Sequence, residues 1–264
     1  MNFLILFICI FFILFSYSSL IFLPNFSFAS VSEYQLQLRW GTAGTENGQF
    51  MVPHSMAIDS EGNVYVTDVN NNRIQKFTSD GEFITKWGTE GTGDGEFSSP
   101  EGIDIDSLGN VYVADTGNSR IQKFTSDGEF ITKWGTEGTG DGEFNEPHSS
   151  IVDNFGNEFV SDMNNHRIQK FTSDGEFITK WGTQGTGDGE FGLPLGIGSD
   201  SKGNIFIIDQ ASSSISQFSN QGEFVNKISF NFDKLEDIEI DSNDDIYITD
   251  RNKNEILKFS KIGN

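Results

Sequence analysis

Arg73-Ile-Gln-Lys-Phe-Thr-Ser-Asp-Gly-Glu-Phe-Ile-Thr-Lys-Trp87-Gly88 recurs unchanged as Arg120–Gly135 and again as Arg167–Gly182. Inside it, Ile74–Phe77 and Phe83–Trp87 flank Asp80-Gly81, a hairpin signal between two runs rich in β-branched and aromatic residues. Upstream, Met56–Asp59 and Val64–Thr67 flank the tight turn Gly62-Asn63, and Asn70-Asn71-Asn72 turns the chain towards Ile74. Each unit therefore reads as four short strands, with Gly and Pro in the turns and no helical period.

Trp40, Trp87, Trp134 and Trp181 stand 47 residues apart, and the fifth place is Ile228. The last unit is shorter, with Asp209 and Asp250 only 41 apart. Tandem four-stranded units of this length are propeller blades, because one blade cannot cover both its faces and neighbours packed around an axis can. The recurring Tyr65, Phe77, Phe83 and Trp87 supply rings large enough to fill the wedge between blades. The expected fold is all-β: a β-propeller of four-stranded antiparallel blades, five in number with six as the alternative. The repeats fall at about 41–87, 88–134, 135–181, 182–228 and 229–264. Residues 34–40 align with a fourth strand, so Leu36–Trp40 is expected to pair with Glu255–Phe259, complete the last blade and close the ring.

Residues 1–29 carry no charge, and Phe3 to Phe15 is an unbroken apolar run. With Ser27-Phe28-Ala29 as a cleavage site, this reads as a signal peptide ahead of a domain at 30–264, an uncleaved anchor being the alternative. Export to the cell surface or outside follows. The single cysteine, Cys9, lies in this segment, so the remaining chain holds no disulfide, thiol nucleophile or thiolate metal site. The net charge of −22 repels phosphate backbones, which excludes nucleic acid as a partner. A membrane partner requires the N-terminal segment to stay attached.

Positions identical in every unit hold architecture. Asp68, Asp115, Asp162, Asp209 and Asp250 follow the second strand as turn-capping groups, as do Asp59, Asp106, Asp153, Asp200 and Asp241 after the first. Positions that differ at a shared, axis-facing place say more about function. Directly after the Pro that precedes the innermost strand, or Leu235 in the fifth unit, stand His54, Glu101, His148, Leu195 and Glu236, which a closed ring gathers at the channel mouth. His54, His148, Glu101 and Glu236 are thus candidate ligands for a divalent metal, zinc or calcium. The acidic loops Glu90–Asp94, Glu137–Asp141 and Gln184–Asp188 lack the dense alternating ligands of a dedicated calcium loop and read as solvated linkers.

Pro100-Glu-Gly-Ile-Asp-Ile-Asp106, Gly109-Asn-Val-Tyr-Val-Ala-Asp115 and Asn118-Ser-Arg-Ile-Gln-Lys-Phe124 together resemble the NHL repeat. The resemblance runs from Trp40 to the C-terminus and is loosest in the fifth unit, where Leu235 replaces Pro and Glu255 replaces Arg. It implies a propeller, commonly six-bladed, in a family of lyases, RNA-binding modules, sensor domains and scaffolds. Its peptide-amidating lyases bind zinc through Pro-His motifs at blade entrances. Pro53-His54-Ser55 and Pro147-His148-Ser149 match that motif; Pro100-Glu101-Gly102 and Pro194-Leu195-Gly196 do not. A third His is absent, only Glu101 or Glu236 could replace it, and no Arg and Tyr pair can be assigned.

The near-verbatim copies favour a binding scaffold for a protein, peptide or glycan over an enzyme. Its recognition surface would draw on Asn70, Asn71, Asn118, Asn164 and His166 in the variable loops, His166 also reading as a solvated turn residue. The alternatives are a metal-dependent lyase or hydrolase at the channel mouth, or the sensor domain of a membrane-anchored protein.

Overall fold

The computed structural model describes residues 38–229, 232–253 and 255–260; the expected signal segment lies outside them. Among the described residues no helix is long and apolar enough to cross a membrane. Leu38–Asn264 forms one compact unit. It is a five-bladed β-propeller of antiparallel sheets, four of them four-stranded. Blade 1 comprises Pro53–Ile58, Val64–Asp68, Arg73–Phe77 and Phe83–Trp87, in that order from the axis outwards. Blade 2 comprises Pro100–Ile105, Val111–Asp115, Arg120–Phe124 and Phe130–Trp134; blade 3 comprises Pro147–Val152, Glu158–Asp162, Arg167–Phe171 and Phe177–Trp181. Blade 4 comprises Pro194–Ser199, Ile205–Asp209, Ser214–Phe218 and Phe224–Ser229. Among the described residues blade 5 has three strands, Leu235–Ile240, Ile246–Asp250 and Glu255–Phe259.

The second and third strands are covered on both faces and buried throughout in blades 1 to 3. The fourth, at the rim, alternates half-buried and exposed residues. Aromatic rings fill the wedges. Trp87 of blade 1 lies 5.9 Å from Phe124 of blade 2, and Trp134 and Trp181 repeat the contact on Phe171 and Phe218. Each Trp also lies flat against a glycine of the next blade. A Cβ on Gly128 would stand 2.5 Å from the Trp87 ring, and the residue's φ of +86° is one that L side chains rarely adopt.

The invariant Asp–Arg pair ties each early blade together. In blade 2, Asp115 Oδ1 accepts the Ser98 N–H at 2.7 Å, while Oδ2 accepts from Arg120 Nε at 2.7 Å, Asn118 Nδ2 and Gln122 Nε2. The Arg120 guanidinium in turn donates to the carbonyls of Thr92, Gly93 and Glu96 in the incoming loop. The loop between blades is therefore held through its backbone carbonyls, while the side chains of Glu90, Thr92 and Asp94 stay exposed. Phe97, Phe144 and Phe191 end these loops, fully buried against Phe124, Phe171 and Phe218.

The expected closure by an N-terminal strand is corrected. Leu36 and Gln37 lie outside the described residues, and Leu38, Arg39 and Trp40 form no strand. Trp40 packs instead on Phe77 and Gly81 of blade 1, 6.2 Å from the Phe77 ring. Exposure along the blade 5–blade 1 seam shows the same thing. Met56 of blade 1 is 66% exposed, whereas its counterparts Ile103 and Ile197 are 5% and 2% exposed under a preceding blade. Ile256 of blade 5 is 72% exposed, whereas Ile215 in blade 4 is fully buried. Among the described residues no sheet is closed by hydrogen bonds, because a matching strand pattern does not determine whether the blade curvature brings the two ends together.

Candidate metal centre

The innermost strands share one irregularity that sets the site. Pro53 pairs with Asp68 and Met56 with Val66, so His54 and Ser55 stand opposite the single residue Thr67. The same shift occurs in all five blades. Two residues opposite one is a β-bulge, which bends the strand and re-aims the side chain it carries. Here the residue after the strand-opening Pro or Leu sits in the bulge.

Three of those residues converge. His54, Glu101 and His148, from blades 1, 2 and 3, each offer one ligand atom, and these atoms lie within 4.8 Å of one another. The two imidazoles meet edge to face with centroids 5.1 Å apart. Glu101 Oε2 lies 3.6 Å from His148 Nε2. Tetrahedral zinc, with bonds of about 2.0–2.1 Å, sets its ligand atoms about 3.3 Å apart. Small side-chain rotations would bring the trio to that spacing.

Electrostatics suit the same use. Burial, and secondly the neighbouring His54, push the His148 pKa down to about 3, so the ring is neutral at physiological pH. Its Nδ1 is buried with no hydrogen-bond partner among the described residues. The Glu101 carboxyl is raised above its ordinary range by burial, against which His54 acts. Beyond this trio the axis carries more carboxyls: burial and neighbouring acids raise Asp104 to about 6 and Glu239 to about 7.

Glu236 is not among the three. It lies 3.1 Å from Arg251 and 3.6 Å from Lys234, and Leu195 in blade 4 is apolar and buried. Among the loop residues, Asn71 and Asn118 serve the frame: each Nδ2 donates to the strand-ending Asp and to the carbonyl of Gly44 or Gly91. His166 sits at φ +56° with Nδ1 2.8 Å from the Gly192 carbonyl. Asn70 and Asn164 are exposed. Sequence reasoning passed over Thr67, Thr116 and Ser161, whose hydroxyls reach these bulges; their departure from the repeat was the available signal.

Fold and site together define a multi-bladed β-propeller related to NHL-repeat propellers, with a cluster able to hold a divalent metal ion. A model of the NHL repeat matches residues 50–77 and 97–124, and a family described as a 6-bladed beta-propeller matches residues 157–234. The B-box type zinc finger protein ncl-1 of Caenorhabditis elegans is 40% identical over 45 residues, which are 17% of this chain and 5% of that protein. Among solved structures, virginiamycin B lyase from Staphylococcus aureus superposes with a TM-score of 0.60 at 19% identity, over 78% of this chain and 69% of the other. The nidogen/laminin complex gives 0.65 at 19% identity, over 82% and 78%. A gluconolactonase of Xanthomonas campestris gives 0.62 at 13% identity, over 81% and 74%. Identities this low speak for the fold alone.

The expectation that an enzyme is the less favoured reading is corrected at this point: the cluster of His54, Glu101 and His148 is consistent with an enzymatic role as well as with ligand binding. That expectation rested on the near-identity of the early blades. Three of the residues that differ between blades, His54, Glu101 and His148, are brought together by the bulges.

Proposed function

We propose that this chain is a divalent-metal-dependent lyase or hydrolase, with His54, Glu101 and His148 as ligands at the mouth of the axial channel. The observation that carries this reading is the convergence of two imidazoles and one carboxyl from one repeat position of three blades, with ligand atoms within 4.8 Å. Two imidazoles and one carboxylate suit zinc, whereas calcium takes oxygen ligands. Three protein ligands leave one position open, the pattern of a catalytic rather than a structural site. A bound divalent ion would supply a Lewis acid and a water of lowered pKa. The chain's own part is to keep His148 neutral and desolvated, so that a ring nitrogen lone pair is available without prior loss of a proton. The Glu101 carboxyl, 3.6 Å from His148 Nε2, would offset part of the charge of a bound ion.

Export, read from the uncharged first 29 residues, belongs to the same proposal, as does engagement of a protein, peptide or glycan rather than nucleic acid. Metal analysis and zinc titration of the purified chain test the centre. Wild type is expected to bind one equivalent, and His54→Ala, Glu101→Gln and His148→Ala to lose it. No bound divalent ion at neutral pH refutes the reading.

A further inference from the structure

Each β-bulge puts two residues opposite one and leaves part of the ladder unmade. What fills that defect differs between blades. In blade 1 the buried Thr67 Oγ1 accepts the Ser55 N–H at 2.8 Å. Its single proton points to the Ser55 carbonyl, 3.2 Å away, and across the blade boundary to the Glu101 carbonyl at 3.0 Å. One hydroxyl thus ties the residue after His54 to the backbone of Glu101. In blade 3 the buried Ser161 Oγ accepts the Ser149 N–H at 2.9 Å, next to His148. The carbonyl on the other side of His148, that of Pro147, accepts the Thr116 hydroxyl of blade 2 at 2.7 Å.

The repeat supplies its own controls. At the position of Thr67 and Ser161, blade 2 has Ala114 and blade 4 has Ile208, both fully buried. Blade 5 has Thr249, which reaches the Asp237 N–H at 3.0 Å but is exposed. At the position of Thr116, blade 1 has Val69 and blade 3 has Met163. Buried hydroxyls in the bulge therefore occur in the two blades that present a histidine, and a third grips the blade 3 bulge from its neighbour. The fold does not require them, since Ala, Ile, Val and Met occupy the same places elsewhere.

We infer that Thr67, Thr116 and Ser161 are positioning residues for the metal centre, holding the bulged backbone from which His54, Glu101 and His148 project. This rests on the metal-centre reading above. Groups that orient ligands from behind set affinity, and their loss costs about 10–100-fold in metal binding.

The test uses the full chain with Thr67→Ala, Ser161→Ala and Thr116→Val, each a residue type found in another blade at that position. Zinc affinity is expected to fall about 10–100-fold in each, while the apo melting profile stays cooperative, and Thr67→Ser is expected to restore binding. Amide hydrogen exchange of the metal-free protein supplies a second readout: Ser55 should lose protection in Thr67→Ala, and Ser149 in Ser161→Ala. Wild-type zinc affinity in the three variants, with His54→Ala abolishing binding, overturns the inference. So does unchanged exchange at Ser55 and Ser149. Failure of the wild type itself to bind zinc overturns the metal-centre reading, and altered exchange would then mark the hydroxyls as structural only.

Discussion

The Ser150 hydroxyl donates to Glu158 Oε1 at 2.7 Å inside the wedge between blades 2 and 3, both residues buried. The other four blades hold Met56, Ile103, Ile197 and Ile238 in place of Ser150, and Val64, Val111, Ile205 and Ile246 in place of Glu158. Blade 3 alone carries a polar pair there. Glu158 Oε2 has no partner among the described residues, and Asp104, Lys123 and the Trp134 indole surround the carboxyl.

Restoring the apolar pair should therefore reveal coupling. Ser150→Ile alone strips Glu158 of its donor, at a cost of about 1–3 kcal/mol. The Ser150→Ile/Glu158→Val double variant recovers the Ile103/Val111 pair of blade 2 and should be more stable than Ser150→Ile. Urea unfolding of the four proteins checks this, with an expected interaction energy of about 1 kcal/mol or more. Additive effects would contradict the buried contact.

Glu158 also predicts a pH dependence. Burial raises its pKa to about 8, above that of an ordinary carboxyl. Between pH of about 4.5 and 8 the folded state holds a proton that the unfolded state has released, so stability falls as pH rises through this window and levels off above it. Glu158→Gln should flatten that part of the curve and melt higher than wild type at pH 8.5. The gain should be no more than a few kcal/mol, about 1.4 for each pKa unit. Parallel curves for the two proteins would refute it. Asp104 and Glu239, raised to about 6 and 7, add slope of the same sign over narrower windows, which the variant leaves in place.

Two glycines separate backbone strain from ring packing. Gly128 and Gly156 have φ of +86° and +81°, but an added Cβ meets the Trp87 ring at 2.5 Å in the first and nothing within 4 Å in the second. Gly156→Ala should cost only the left-handed conformation, about 1–2 kcal/mol. Gly128→Ala should cost about 1–3 kcal/mol more, because Trp87 must leave the wedge. Thermal melting of both variants makes the comparison, and equal losses would show that the Trp–Gly contact contributes nothing.

Much of this protein is legible in its sequence because a repeat states its own register. The 47-residue spacing of the tryptophans, the Asp80-Gly81 hairpin and the Asp after each second strand yield the blades and their order. The role of the loops was less legible. Phe97, Phe144 and Phe191 recur with the same period, yet a Gly-rich approach reads as solvated linker until Arg120 is seen holding its carbonyls.

Sequence alone determined that His54, Glu101, His148, Leu195 and Glu236 share one position, since equal places in a repeat must be equal places in the blades. Only the tertiary structure decided that Glu101 joins the histidines while Glu236 goes to Arg251 and Lys234. Only there, too, is the seam between blades 5 and 1 open among the described residues: Met56 and Ile256 are exposed where their counterparts are covered. Both outcomes depend on bulge geometry and on the accumulated angle between blades. Those are properties of packing summed around an axis, and no single repeat contains them.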